Sequence, residues 1–309
     1  MTIPQVTKRT NKTKRNAFTL VELMIVIVII GILLGISAPF IFAAMRTAKE
    51  FTITYEIVQL DAAIQRFETK HGFFPPSIGP GLEIDTAGDP RVELVEFRRY
   101  LNRIAPNHAE GTFDSGGGLE IWWEQVGSNL DGESSLVFWL SGLCTSKQYP
   151  LSGNASNENS DVVLAPYNVN KDAADNDLAS GVNIDRNVFF DFDIGRIVPN
   201  GSASTAGIKS YIQPFGKEIA GSLLAYEYRD FRSYGTETAY HIDDPDSTAT
   251  PPEAIFFNAD SFQIICPGMD GVVAIGNVRN VTSETNVNSS QDDNITNFSD
   301  GRLERSYGG

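Results

Sequence analysis

Residues 14–24 read KRNAFTLVELM, and they begin an apolar run in which no side chain from Leu23 to Met45 carries a charge. At about 1.5 Å per residue, a helix of that length crosses a hydrocarbon core of roughly 30 Å. We therefore predict one membrane-spanning helix near the start of the chain.

The residues that precede this run are basic and include no acid. They are Lys8, Arg9, Lys12, Lys14 and Arg15. Basic residues beside a membrane segment stay on the cytoplasmic side, so the rest of the chain is expected to be exported. The predicted location is the inner (cytoplasmic) membrane, crossed once, with the C-terminal domain in the periplasm or at the cell surface.

One carboxylate, Glu22, lies just inside the apolar segment. Placing a carboxylate in lipid costs on the order of a few kcal/mol, so Glu22 is expected to have an interaction partner or a functional role. The alternative is a plain signal anchor in which Glu22 reaches the lipid headgroups. A cleaved secretory signal is disfavoured, because its apolar region is typically about 7–15 residues long.

The string from Lys14 to Ile27 resembles the leader and N-terminal helix of type IV pilins and type II secretion pseudopilins. The resemblance implies that a prepilin peptidase cuts between Ala17 and Phe18 and methylates the new N-terminus at Phe18. Ala17 departs from the glycine that the family usually has before the cut. Pro39 stands where the family's helix often carries a proline that loosens it during assembly.

The resemblance also gives Glu22 an assembly role. Cleavage would create an α-amino group at Phe18, one helical turn from Glu22 and on the same face. When helices pack side by side, the amine of one subunit would neutralise Glu22 of its neighbour, and such a buried pair fixes register. The implied partners are the prepilin peptidase, further copies of the chain, other pilin-like subunits and an inner-membrane assembly platform.

A second apolar pattern indicates that the helix continues beyond the membrane. One stripe has spacings of four, three, four and three: Ile53, Ile57, Leu60, Ile64 and Phe67. Four residues are predicted to widen the covered face: Phe51, Tyr55, Val58 and Ala62. The opposite face is assigned to Lys49, Glu50, Asp61, Arg66 and Glu68. Gly72 and the prolines at 75 and 76 should end the helix. Two helices separated by a break near Pro39 are the alternative.

The predicted fold class is α+β, with the long helix packed on a globular domain that has an antiparallel sheet and long loops. We predict a basic leader at 1–17, a transmembrane and polymerisation helix at 18–45, its amphipathic half at 46–71, and an exported pilin-like domain at 72–309. In the resembled family, such a sheet packs against the exposed half of the N-terminal helix.

Within the exported domain, residues 91–104 have helical spacing, and 136–140 predict a buried helix that places Trp139 in the core. An exposed aromatic patch is the alternative for Trp139. Strands are predicted at 188–192, 209–212, 223–228 and 262–266. Long polar loops are predicted at 149–180 and 230–253.

The C-terminal end resembles the calcium loop of the major type II pseudopilin, where a Gly-x-Asp-Gly turn precedes an Asp-Ile segment. The corresponding residues here are Asp270, Asp292, Asp293 and Asn294, all of which offer the oxygen ligands that Ca²⁺ prefers. Asn294 stands where the family has aspartate. A solvated acidic loop that binds no metal is the alternative.

The charge of the chain and its sequence motifs limit the classes of function that it can have. The leader holds five of the 24 basic residues and no acid, so the chain after it has 19 basic against 39 acidic residues, a net charge of −20. That charge argues against nucleic-acid binding. Whether Cys144 and Cys266 pair is left open. The three histidines form no HExxH motif, and no GxSxG elbow is present.

The sequence therefore predicts a structural subunit and not an enzyme. The subunit would be a pilin or pseudopilin that polymerises through its N-terminal helix into a type II secretion-like or a pilus-like fibre. The large domain and the calcium-like end favour the secretion fibre. A membrane-anchored exported binding protein that uses a prepilin-type leader is the main alternative. An exported hydrolase on the same anchor is disfavoured for lack of a motif.

Overall fold

The computed structural model describes residues 19–77, 91–107, 130–143, 187–199, 209–216, 218–219, 222–234, 239–244, 246, 248, 253–268, 279–280, 294–299 and 301–303. The chain divides into two compact units, Met1–Ala48 and Lys49–Gly309. The first unit is helical wherever it is described. The second contains helices and small sheets, so the α+β fold class is confirmed.

Helix α1 runs from Leu20 to His71 with Pro39 inside it, so the alternative of two separate helices is wrong. Proline has no amide hydrogen, and the carbonyl of Gly35 therefore loses its usual partner one turn later. In the first unit the large apolar side chains of α1 are exposed: Leu20 is 74 % exposed, and Phe40 is 71 % exposed.

In the second unit, the predicted apolar stripe of α1 forms the centre of the core. Ile53, Ile57, Leu60, Ile64 and Phe67 are at most 1 % exposed. They pack with aromatic and aliphatic residues from the sheets and from the helix that carries Trp139. Full burial of each such side chain contributes about 1.5–3 kcal/mol, so this stripe is a main source of stability for the second unit.

The predicted widening of that stripe is wrong. Phe51 is 72 % exposed, and Tyr55 and Val58 are each 59 % exposed; Ala62 is exposed as well. Four residues on a helix span a wide arc, and the domain covers only the arc centred on the buried stripe. The periodicity of apolar residues does not tell which part of that arc a domain will cover.

Glu50 was assigned to the polar face, but its side chain is buried. Its Oε1 lies 3.0 Å from Nε of Arg302, near the C-terminal end of the described chain. Asp61 lies at the edge of the covered face, where its Oδ2 accepts a hydrogen bond of 3.0 Å from Nδ2 of Asn297. The C-terminal segment therefore contacts α1 through two polar side chains.

The end of α1 matches the prediction, and the chain that follows it is held in place. Gly72 has a φ of 76° and its amide donates to the carbonyl of Glu68. Residues 75–77 are hydrogen-bonded to the second unit. Pro75 O accepts from Tyr228 OH at 2.7 Å, Pro76 O accepts from Trp139 Nε1 at 2.9 Å, and Ser77 N donates to Asp230 Oδ2 at 3.0 Å.

The described part of the chain contains two further helices, α2 at Arg91–Ile104 and α3 at Gly132–Leu140. Asp131 and Ser134 form a capping box at the start of α3, in which each side chain accepts from the backbone amide of the other residue. Trp139 has no exposed surface and stacks edge-on with Phe67. The prediction that Trp139 lies in the core is confirmed, and the exposed aromatic patch is not found there.

The described strands are short. They are β1 (Ile197–Pro199), β2 (Lys209–Tyr211), β3 (Glu218–Ile219), β4 (Ser222–Leu223), β5 (Glu227–Asp230), β6 (Tyr240–Asp243), β7 (Ala254–Phe256), β8 (Phe262–Cys266), β9 (Arg279–Asn280) and β10 (Ile295–Thr296). Strands β5 and β10 pair antiparallel on either side of β8, with Tyr228 opposite Ile264 and Ile295 opposite Cys266. A second sheet has the order β7-β6-β9, and the pairs β1-β2 and β3-β4 complete the set.

Three predictions of secondary structure need correction. Residues 188–192 form no strand, because the amides of Phe189 and Phe190 both donate to the carbonyl of Leu140 and close over the end of α3. The predicted loop at 230–253 contains β6 and a short 3₁₀ turn at Phe231–Ser233. The predicted strand at 223–228 is interrupted, since β4 ends at Leu223 and β5 begins at Glu227. The second sheet also contains one parallel pair, β6 with β9. The predicted strand at 262–266 is confirmed, and 209–212 is confirmed over β2 with Ile212 as a bridge.

Candidate assembly site

The start of α1 is organised around Thr19 and Glu22. Oε2 of Glu22 accepts hydrogen bonds from the amide of Thr19 at 2.9 Å and from its hydroxyl at 2.8 Å. In return, Oγ1 of Thr19 accepts from the amide of Glu22 at 3.2 Å. This reciprocal pattern is a capping box, with Thr19 as the N-cap.

The capping box was not predicted, although the Thr-x-x-Glu spacing that signals it is present in the sequence. Both of the carboxylate's hydrogen bonds go to Oε2. Glu22 therefore starts the helix, and its Oε1 accepts no hydrogen bond from any residue that the structure describes.

Downstream of this box, α1 exposes a long surface without charge. From Leu23 to Met45 the side chains are uncharged, and the large apolar ones are between 44 % and 71 % exposed. The most apolar window of α1 has a mean hydropathy of 2.9, and by length and composition this helix could cross a membrane. Such a surface requires lipid or other apolar helices around it.

The other residues predicted for processing, Ala17 and Phe18, lie outside the described residues, so the cut between them stays a prediction. The same holds for three of the predicted calcium ligands, Asp270, Asp292 and Asp293, and for Cys144. Among the residues that the structure does describe, no group of three or more His, Cys, Asp or Glu side chains is arranged to hold a metal ion.

Asn294, the fourth predicted calcium ligand, is fully buried and uses both ends of its amide. Its Oδ1 accepts from the amide of Gly268 at 3.1 Å, and its Nδ2 donates to the hydroxyl of Tyr240 at 2.9 Å. Asn294 therefore holds Gly268, two residues after β8, next to the start of β10. Whether the other predicted ligands hold calcium stays a prediction.

A buried polar network joins α1 to the sheets, and it was not predicted. Glu56 receives two hydrogen bonds from the guanidinium of Arg196, at 2.6 and 2.7 Å, and one from the hydroxyl of Tyr211 at 2.8 Å. The hydroxyl of Tyr226 donates to Oε2 of Glu56. Burial raises the pKa of both tyrosines, and the Glu56 carboxylate adds to the shift.

A second acidic group lies at the start of α3. Burial raises the pKa of Glu133 to about 7, and the nearby carboxylates of Asp131 and Glu227 push it in the same direction. Arg229 opposes the shift, but its guanidinium already pairs with Glu227 at 2.8 Å. Glu133 is therefore held largely protonated below neutral pH.

Comparison with known families singles out the N-terminal region. Residues 12–38 match the family model described as the prokaryotic N-terminal methylation motif. The matched segment contains the predicted cut, the capping box and the first half of the uncharged surface. No curated protein and no solved structure gives a significant match to the chain.

The matched motif supports a type IV pilin-like precursor. A motif of this type implies processing by a prepilin peptidase and assembly into pilin-like polymers. The apolar start of α1 is consistent with membrane anchoring of such a precursor. The match covers 27 residues of the chain.

Proposed function

We propose that this chain is a structural subunit, a pilin or pseudopilin, that polymerises through α1 into a fibre. It is inserted as a prepilin, cut after Ala17 and methylated at Phe18, and it is then drawn from the inner membrane into the polymer by an assembly platform. The exported domain is carried along the fibre on the second half of α1. The proposal assigns no catalytic step to this chain.

The observation that carries the proposal is the combination of the methylation motif with the geometry at Glu22. The carboxylate keeps one oxygen on Thr19 and leaves Oε1 for a second donor. An α-amino group at Phe18 of a neighbouring copy has the charge to meet it, because a lone carboxylate among apolar helices is unstable without a cation. A simple membrane anchor needs the capping box to start its helix but has no use for the methylation motif.

Of the two kinds of fibre, we propose a type II secretion-like one. The exported domain extends well beyond the residues needed to cover one helix, and the C-terminal end resembles the calcium loop of a major pseudopilin. Calcium bound by Asp270, Asp292 and Asp293 would tie two loop segments together. The hydrogen bond from Gly268 to Asn294 supports this part of the proposal, because the two joined residues lie two positions from Asp270 and one position from Asp293 in the sequence.

The decisive variant is Glu22→Gln, because glutamine at this position can keep the capping box and removes only the charge. We expect Glu22→Gln to be inserted and cleaved normally but to form no multimers. Glu22→Asp, which retains the charge on a shorter side chain, should assemble in part. Chemical cross-linking in intact cells followed by sizing measures the multimers.

Two results would contradict the proposal. The first is a mature chain whose N-terminus, read by mass spectrometry, still carries the basic leader or lacks a methyl group on Phe18. The second is an unchanged multimer ladder for Glu22→Gln. An anchored binding protein would give that second result, since its activity does not depend on a charge at Glu22.

A further inference from the structure

A cavity of the second unit is lined mainly by basic side chains. It has a volume of about 440 Å³, and three arginines and two neutral residues line it: Arg99, Tyr100, Asn102, Arg103 and Arg232. Four of these residues belong to α2, and Arg232 lies in the 3₁₀ turn that follows β5. Cavities of roughly 300–1,000 Å³ are typical sites for small molecules. Because the chain after the leader has a net charge of −20, the composition of the chain does not explain this cluster of cations.

The guanidinium of Arg232 is fixed in place by three hydrogen bonds. Its Nε donates to Oδ1 of Asp230 at 2.6 Å, one Nη donates to the carbonyl of Phe74 at 3.0 Å, and the other Nη donates to the hydroxyl of Tyr100. Asp230 is only 1 % exposed and also accepts from the amide of Ser77 at 3.0 Å. The contacts with described residues use three of the five N–H donors of this guanidinium, so two remain for a ligand in the cavity.

Arg103 reaches the same cavity from the last turn of α2. Its guanidinium lies over the ring of Phe73, 5.7 Å from the ring centroid. That ring contacts the ring of Tyr100, at 4.8 Å between centroids, and the guanidinium of Arg232 lies 4.9 Å from the Tyr100 centroid. No described carboxylate forms an ion pair with Arg103. Two contacting aromatic rings therefore support both guanidiniums, and of these two only Arg232 has a described carboxylate partner.

The position of α2 does not by itself account for the cluster. A cation in the last turn of a helix is favourable beside the partial negative charge of the helix end, and Arg103 meets that preference. Arg232 comes from a different part of the chain, where the Asp230 carboxylate holds it at the cavity. Placing several cations around one cavity costs electrostatic energy, which an anion in the cavity would offset.

We propose that this cavity binds a small molecule that carries a doubly charged oxyanion group, a phosphate or a dicarboxylate, through Arg103 and Arg232. The planar fork of a guanidinium matches the oxygens of both kinds of anion. The exposed Arg99 adds a third positive charge. Three guanidinium charges less the one charge of Asp230 leave two positive charges among these residues, which a dianion would neutralise.

Isothermal titration calorimetry on the detergent-solubilised full chain tests this site. The probes are sodium phosphate and sodium succinate at about pH 8, where phosphate is doubly charged, with sodium chloride at the same ionic strength as the control. We expect saturable binding at one site per chain for at least one of the two dianions and none for chloride. Saturation by phosphate alone assigns a phosphate group, and saturation by succinate alone assigns a dicarboxylate. If neither dianion saturates a site up to about 10 mM, the proposed anion site is wrong.

A matched pair of variants locates the binding site. Arg103→Gln and Arg98→Gln each remove one positive charge from α2, but Arg98 does not line the cavity. Because hydrogen bonds to a charged group are strong, we expect Arg103→Gln to raise Kd at least about tenfold. Arg98→Gln should raise Kd by less than about threefold. Equal weakening by the two variants would overturn the assignment, since the general charge of α2 would then hold the anion.

Arg103→Lys keeps the positive charge but removes the guanidinium fork, so we expect it to raise Kd by roughly three- to tenfold. If Arg103→Gln does not fold, Arg103→Lys decides the question, and an unchanged Kd for this variant would rule out the role of Arg103.

Anion binding at this cavity does not depend on polymerisation. Glu22→Gln should therefore bind the same dianion with an unchanged Kd, whatever its effect on multimers. A chain that forms multimers but binds neither dianion would leave the subunit role standing and overturn the anion site. A chain that binds a dianion but forms no multimers would give the opposite result for the two proposals.

Discussion

Truncation of Glu56 to alanine should strongly destabilise the second unit. The change removes the acceptor of four hydrogen bonds and leaves the guanidinium of Arg196, whose side chain is only 18 % exposed, without its carboxylate. Breaking a buried pair by removing one partner costs about 3–5 kcal/mol. For a domain of this size, that corresponds to a fall in Tm of roughly 6–20 °C.

Thermal unfolding of the detergent-solubilised full chain, followed by tryptophan fluorescence, measures this change, since Trp139 lies in the same core as the stripe of α1. Glu68→Ala is the matched control. Glu68 is on the same helix, and its side chain makes no hydrogen bond to any described residue, so its loss should cost less than about 0.5 kcal/mol.

A double variant, Glu56→Leu with Arg196→Met, separates the cost of an unpaired charge from the loss of packing. Replacing both members by apolar residues of similar size should recover much of the stability lost in Glu56→Ala. The reasoning is refuted if the free energy of unfolding of Glu56→Ala lies within about 1 kcal/mol of that of the unchanged chain, because a largely buried guanidinium that loses the Glu56 carboxylate keeps only neutral partners among the described residues, the carbonyl of Ile212 and the ring of Tyr211.

Two further predictions concern the polar groups of the second unit. Burial raises the pKa of Glu133 in the folded chain from its ordinary 4.5 to about 7. Between these two pH values the folded state holds a proton that the unfolded state has released. The free energy of unfolding therefore falls as the pH rises from 4.5 through 7. Glu133→Gln should therefore be more stable than the unchanged chain at pH 8, by about 1–3 kcal/mol. This difference in the free energy of unfolding should become smaller towards pH 5. Equal differences at both pH values, measured by denaturant titration, would contradict the prediction. Asn294→Ala removes two buried hydrogen bonds and should lower stability by about 1–3 kcal/mol. It should also weaken the rise in Tm on adding Ca²⁺ to the full chain, and the calcium proposal fails if Ca²⁺ has no more effect than Mg²⁺.

The features that the sequence predicted well are those set by local pattern. The stripe from Ile53 to Phe67 repeats at helical spacing and is buried as predicted, and Gly72 ends the helix because it tolerates a positive φ. Strand β8 is a short run of apolar and β-branched residues, and it occupies the predicted range. Trp139 lies in an apolar segment of nine residues with a capping signal at its start.

The features that were missed depend on contacts between distant parts of the chain. Glu56 and Arg196 are separated by 140 residues, and no local signal pairs them. Phe51, Tyr55 and Val58 look like core residues by type, and only the extent of the domain shows that they are exposed. The capping box at the candidate site is different, because the local Thr-x-x-Glu spacing of Thr19 and Glu22 could have predicted it.

Residues 75–77, shortly after the end of α1, have a mechanical consequence for the proposed function, in which the subunit is pulled by its helix. The carbonyl of Pro75 is bonded to Tyr228, the carbonyl of Pro76 to Trp139 of α3, and the amide of Ser77 to Asp230. A tensile load on the buried half of α1 is therefore shared between side-chain packing and these three hydrogen bonds in parallel. We therefore expect the domain to stay attached to the C-terminal half of α1 when the helix is pulled.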